Sequence, residues 1–172
     1  MADTLSVDVR ASLAWLFQDA IDLTTIADSS KLEYARSLAD GVAADQADKL
    51  WHDERSIAGG ANDDLDLTAL VNTVFGSTLT ISLAKVKALL IVNASTASGD
   101  ELQLDSSVAN GFRAPFNGSA ASLVEIGADS ALLLSNKKDG WAVTAGTGDI
   151  LRIHNPGANA ITYRIAVIGT SA

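Results

Sequence analysis

The sequence contains no cysteine. That absence excludes a disulfide framework, a thiolate nucleophile and any cysteine-ligated zinc or iron–sulfur site, and it removes the usual clue to redox compartment. Cationic side chains are scarce: 12 Lys and Arg stand against 21 Asp and Glu, giving a formal net charge of −9 and a pI near 4.4. A nucleic-acid binder needs clustered Lys and Arg to displace counterions, so nucleic acid is not an expected partner. No apolar run approaches the ~20 residues of a membrane helix. The opening MADTLSVDVR also lacks the basic, then apolar, then small-residue order of a signal peptide. These features predict a soluble chain made in a cytoplasm, with no membrane partner.

What is present is apolar. The 172 residues suffice for one main domain, or one domain plus an arm, but are short for two. Hydrophobic residues make up 48% and charged ones 19%, too apolar for a disordered chain and with few charges to keep a monomer's surface wet. Contacts between subunits are therefore expected.

Residues 6–18, SVDVRASLAWLFQ, place Val7, Val9, Ala11, Leu13, Trp15 and Phe17 at every second position, which predicts a strand. Leu5, Val9, Leu13 and Leu16 also fall at near-helical spacing, so a helix is the rival reading. The stretch VAADQADKL has no clear period and predicts a connector or short helical turn. We accordingly divide the chain into residues 1–45, an N-terminal arm and connector, and residues 46–172, a β-sandwich domain.

Beyond that boundary the segments are short, β-rich and punctuated by turn residues. The run at 79–93, LTISLAKVKALLIVN, alternates at first and is then apolar on both faces, predicting one central core strand. ELQLD, LVEIG, ALLLS, WAVTA, ILRIH and ITYRIAVI follow, with turn signals such as NKKDG, GTGD and NPGAN among them. Evenly spaced strands without a long amphipathic helix predict an all-β fold, a sandwich or jelly roll with an extended N-terminal arm.

The densest cluster of chemistry is WHDERSI at 51–57. As a strand it puts Trp51, Asp53, Arg55 and Ile57 on one face and His52, Glu54 and Ser56 on the other, which divides the cluster. Asp53 and Arg55 then make an ion pair. A metal held by His52 and Glu54 would need a third ligand, and the other histidine, His154, is about a hundred residues away. Asp63, Asp64 and Asp66 in NDDLDL lack the spacing and closing Glu of a calcium loop and predict a turn with a short strand. AGTGD at 145–149 lies between two strands and predicts a hairpin turn, since no helix N-terminus follows to hold a phosphate. No G-x-S-x-G elbow occurs. The sequons at Asn93 and Asn117 carry no weight without a secretory route. Trp15, Trp51 and Trp141 are dispersed, so packing in a core or interface is their expected role. No catalytic, metal or cofactor-binding residue is assigned, and no cofactor is expected.

Taken in order, QADKLWHDERSIAGG, DLDL, VFGSTLTISLAKVKALLIVNAS, GWAVTAGTGDILRIHNPG and ITYRIAVIG form a pattern that resembles small β-rich structural proteins of tailed-bacteriophage virions. The likeness covers about the last three quarters of the chain and carries no functional residue with it. It implies a non-enzymatic building block of the particle, most simply a capsid decoration or cement protein. Such a protein would form a symmetric homo-oligomer, a trimer, on the major capsid protein. The arm at residues 4–45 would then pair with a sheet edge of its own or a neighbouring subunit. The alternative is a tail, neck or fibre component, including a receptor- or carbohydrate-binding module. A solvent-exposed aromatic pair beside a groove would favour that second reading.

Overall fold

The structure, a computed structural model, describes residues 4–22, 24–74 and 77–172. It is almost entirely β. In chain order the strands are β1 Val7–Ile21, β2 Thr24–Asp40, β3 Gln46–Ala47, β4 Lys49–Ile57, β5 Asn62–Asp66, β6 Leu70–Val74 and β7 Ser77–Ile81. They continue as β8 Lys85–Asn93, β9 Leu102–Asp105, β10 Leu123–Ile126, β11 Ala131–Ser135, β12 Trp141–Ala142, β13 Ile150–His154 and β14 Ile161–Thr170. Among the described residues the sole helix is a 3-10 turn at Ala114–Phe116, and no helix is long and apolar enough to cross a membrane.

Two sheets carry the core. One runs β10-β9-β13-β5 and the other β11-β8-β14-β4, with β12 also on β8. Counting only these eight principal strands in chain order, the sheets read 2-7-4-5 and 1-8-3-6, so the last strand lies beside the first and the chain wraps back and forth between sheets. That is the order of a jelly roll. Alternation along each strand supplies the core: Leu65, Leu102, Leu104, Leu151 and Ile153 from one sheet meet Trp51, Leu89, Ile91, Tyr163 and Val167 from the other.

The apolar run at 79–93 is two strands, where one was expected. Its first residues belong to β7, paired with β6 in a small hairpin, and β8 begins only at Lys85. Hydrophobic continuity hid the break because Ile81, the last residue of β7, and Leu83, within the break, both enter the core. β8 does lie inside its sheet, flanked by β11 and β14. The β8–β14 register shifts at Ile168/Gly169, and there a Cβ on Gly169 would stand 2.1 Å from the Lys85 carbonyl oxygen, so the irregular pairing requires glycine.

Turn chemistry is local and consistent with the sequence. Among the described residues, the non-glycine positions with positive φ are Asp45, Asn110, Asn117 and Asp129, the residue types that tolerate the left-handed region best. Two fully buried asparagines organise loops. The Asn93 amide donates to the Asp100 and Ile126 carbonyls and the Asn155 amide to those of Ile57 and Asn159, while each side-chain oxygen accepts a backbone N–H two residues on.

The N-terminal segment differs most from expectation. β1 is a strand, as its alternation predicts, but the segment after it is a second long strand, and the two form one antiparallel hairpin from Val7↔Leu38 to Ile21↔Thr24. The arm therefore pairs one edge of each strand within itself, while the outer edge of β1 and most of that of β2 stay open. Beyond β1, β2 pairs its backbone with β3 over two residues, Ala39 and Asp40, and packs Leu38 on Ala88 and Ile168.

Candidate functional site

The charged cluster at 51–57 resolves as strand β4, with Trp51 and Ile57 buried, Asp53 and Arg55 half-buried, and His52, Glu54 and Ser56 exposed. Trp51 fills the core, and its indole N–H donates to the Val71 carbonyl at 3.0 Å. Arg55 reaches the opposite sheet: its Nε and Nη2 donate to the two carboxylate oxygens of Asp63 at 2.5 and 3.0 Å, and its Nη1 donates to Asp53 at 3.0 Å. The buried Tyr163 hydroxyl donates to the same Asp63 oxygen at 2.8 Å. Burial, then the Asp63 charge and hydrogen bond, push the Tyr163 phenol well above its ordinary value. The hydrogen bonds to Asp63 raise the Arg55 guanidinium further still. This network ties one sheet to the other, with Asp63 as the shared acceptor.

Exposed on the other face, Glu54 accepts a hydrogen bond from Arg164 at 2.7 Å. His154 lies in the opposite sheet, its Nδ1 2.7 Å from Asn62 Oδ1 and 3.2 Å from the Ala61 carbonyl. Asp63, Asp64 and Asp66 do not converge: Asp63 holds Arg55, Asp64 holds Arg152 at 2.6 Å, and Asp66 accepts from the Thr68 amide and hydroxyl. Among the described residues no three His, Asp or Glu side chains gather around one point. AGTGD closes a tight turn, with Gly146 in the left-handed region and its N–H donating to Asp149. Asn93 is fully buried, so that sequon is closed to modification. Asn117 sits exposed on a turn.

What the molecule offers instead is a surface. Register pairs Val7, Val9, Ala11, Leu13, Trp15 and Phe17 of β1 with Leu38, Arg36, Tyr34, Leu32, Ser30 and Asp28 of β2 on one face of the hairpin. At the base, Val9 and Leu38 are buried against Ala88 and Ile168, with Leu5, Val7 and Leu133 packed around them. From Arg10 outward the described side chains of both strands are exposed up to the turn. Leu13 is 67% exposed, Phe17 70%, Leu32 70% and Ile26 61%, and Trp15 and Tyr34 lie open between them. The opposite face is largely polar, carrying Asp8, Arg10, Ser12, Glu33, Lys31 and Gln18.

The apolar strip runs into the sandwich. Val7, Val9 and the outer face of the β8–β14 sheet, through Ala88, Leu90, Leu133, Ala166 and Ile168, bound a groove of about 310 Å³ at the hairpin base. A second depression continues from Leu90 and Ala166 across the outer sheet face toward His52 and Glu54. Sequence reasoning identified the β1 half of this strip and missed the β2 half, because Asp28, Ser30 and Arg36 interrupt its alternation. Leu32, Tyr34 and Leu38, spaced by two and then four, are the signal that remains.

No protein-family model matches the chain, and no curated protein matches it.

Proposed function

We propose that this chain is a non-enzymatic structural protein that assembles with copies of itself through its N-terminal hairpin, as a component of a tailed-bacteriophage virion. One observation carries the assembly part: a hairpin of 15- and 17-residue strands exposes Leu13, Phe17, Leu32 and Ile26 on one face and is packed only at its base. A two-stranded hairpin is marginal alone in water, and an apolar strip of this length in a soluble protein marks a contact surface. The virion part is supported by the resemblance of residues 46–169 to phage structural proteins and by the jelly-roll order, an architecture that capsid proteins use. Within that reading, decoration or cement on the major capsid protein is the role that suits a small sandwich with one adhesive arm. A negative net charge disfavours packaged nucleic acid as the partner.

Trp15, Phe17 and Tyr34 share one exposed face, which gives the carbohydrate-binding alternative a specific foothold. Leu13 and Leu32 at the centre of that face favour protein contact, since they offer a sugar hydroxyl nothing to bond. Purified phage particles from a host expressing the tagged chain test the reading by mass spectrometry and particle imaging. The expected result is the chain at a symmetric position on the head. Absence from particles, together with glycan-array binding lost in Trp15→Ala, would replace it with the alternative.

A further inference from the structure

We propose that two copies of this chain join through the free outer edge of β1, antiparallel about a two-fold axis at Ala14, so that their hairpins form one four-stranded sheet in the order β2-β1-β1-β2. This inference rests on the hairpin being an assembly element and names the edge, the partner and the symmetry by which it works.

The two outer edges of the hairpin differ. β1 ends its sheet, and among the described residues nothing pairs with its outer side. From Ala11 to Gln18 it reads ASLAWLFQ, without a charge, a proline or a glycine, and every residue from Ala11 to Ala20 is exposed. Soluble proteins guard such edges with lysine, proline or a bulge, because a row of open N–H and C=O groups is a template for another strand. β2 has that guard. Opposite the same stretch it carries Asp28, Lys31 and Glu33, the last two paired at 2.6 Å, and its base end is already taken by β3. An unguarded edge beside a guarded one marks the side left open for a partner strand.

The partner is a second β1 because the strand complements itself when reversed. About Ala14, Ser12 lies beside the second copy's Leu16 and Arg10 beside its Gln18 on the polar face, with Leu13 beside Trp15 and Ala11 beside Phe17 on the apolar one. No like charges meet across the new ladder, and the two apolar faces stay on one side as a single, wider platform. The marginal two-stranded hairpin becomes part of a four-stranded sheet, and the edges that remain are the charged ones of β2, so growth stops at two copies. The sandwiches have room. Each hairpin rests on its own sandwich around Val7, between Leu5 and Val9. Reversal about Ala14 sets the two Val7 positions about 14 residues apart, roughly 46 Å at ~3.3 Å per residue. A domain the size of residues 46–172 is about 35 Å across. Beside the base of β1, the groove bounded by Asp8, Arg10 and Leu133 leaves open the space that the partner's turn enters.

The test uses the full chain as native protein, Ala14→Lys and Ala14→Glu, with circular dichroism and melting temperature confirming that each folds. Ala14 is exposed, so neither charge enters a core. Analytical ultracentrifugation should give a dimer for the native chain and a dissociation constant raised about tenfold for either variant alone, where like charges meet at the axis, with recovery when the two variants are mixed. Leu32→Ala should weaken the dimer less, because Leu32 backs Leu13 without touching the partner. Because the chain has no cysteine of its own, an Ala14→Cys variant carries a single thiol. A short bis-maleimide should join two copies there, since facing positions of an antiparallel pair lie about 5 Å apart. Ser29→Cys, on β2, should stay unlinked. A trimer, or linked Ser29→Cys chains, would overturn the β1 pairing while leaving hairpin-driven assembly standing. A dimer that Leu32→Ala dissolves and Ala14→Lys leaves intact would do the same. An oligomer indifferent to every hairpin variant would overturn the hairpin's role altogether. A monomer at all concentrations would sink both this pairing and the assembly reading beneath it.

Discussion

Arg55 grips Asp63 with two parallel hydrogen bonds, Nε to Oδ2 at 2.5 Å and Nη2 to Oδ1 at 3.0 Å, and thereby joins β4 of one sheet to β5 of the other. Asp63 is the hub, since the Tyr163 hydroxyl shares it. Asp63→Ala leaves a guanidinium and a buried phenol without their acceptor and should cost ~2 to 4 kcal/mol in urea unfolding, whereas Tyr163→Phe should cost ~1 kcal/mol. Equal losses would show that the ion pair does not latch the sheets.

The same hub makes a pH prediction. Burial and Asp63 raise the folded Tyr163 pKa above its unfolded value of about 10. A group whose folded pKa is raised contributes stability that is fully present below the unfolded pKa and is lost as pH climbs past it. Stability should therefore fall on the alkaline side, with the Tyr163 phenolate absorbance appearing together with unfolding. Tyr163→Phe should flatten that alkaline slope. Ionisation of Tyr163 in a chain whose circular dichroism is still native would contradict it.

Strand β4 separates two kinds of residue by face. Trp51→Ala, a large-to-small change at a 2% exposed site, should cost ~3 to 5 kcal/mol. His52→Ala should change stability by no more than ~0.5 kcal/mol, and Glu54→Ala by no more than ~1 kcal/mol given its exposed pairing with Arg164. Chelator should leave the melting temperature unmoved. A stoichiometric metal lost with His52→Ala would reverse the reading of this strand.

The two ends of the hairpin should respond oppositely to one chemical change. Leu38, 1% exposed, packs on the sandwich, so Leu38→Ala should lower the monomer's stability by ~2 to 3 kcal/mol. Leu32, on the same strand and face but 70% exposed, should cost the folded chain no more than ~0.5 kcal/mol when changed to Ala and should instead weaken assembly. Removing residues 1–45 should leave the sandwich folded, less stable by the base contacts, and unable to assemble through the arm. Denaturant curves and ultracentrifugation separate the two effects.

Legibility followed the locality of the signal. Val7 to Leu13 alternate strictly, Ala14 and Leu16 break the pattern beyond, and β1 is where the alternation placed a strand. Residues 24–40 carry Asp28, Ser30 and Arg36 on the face they share with Leu32 and Tyr34. Their strand character therefore emerges only from pairing with β1. The division of 51–57 into two faces was readable from period two alone, and so was the Asp53–Arg55 pair, but the stronger partner of Arg55 was not. Asp63 lies eight residues on and in the other sheet, a distance no local pattern encodes.

Composition and alternation by themselves determined an all-β chain with short strands, Asn-, Asp- and Gly-rich turns and an apolar surplus, because side-chain direction in a strand depends only on residue parity. Tertiary structure alone decided the jelly-roll strand order, the break of the 79–93 run into β7 and β8, and the Arg55–Asp63–Tyr163 latch, since each depends on which distant strands meet. It also decided that the arm folds on itself as a hairpin, which leaves one apolar face of side chains in water beyond the base. Whether Leu13 and Leu32 face water or a neighbour is set by the hairpin's projection past the end of its own sheet contact, a relation between distant parts of the chain.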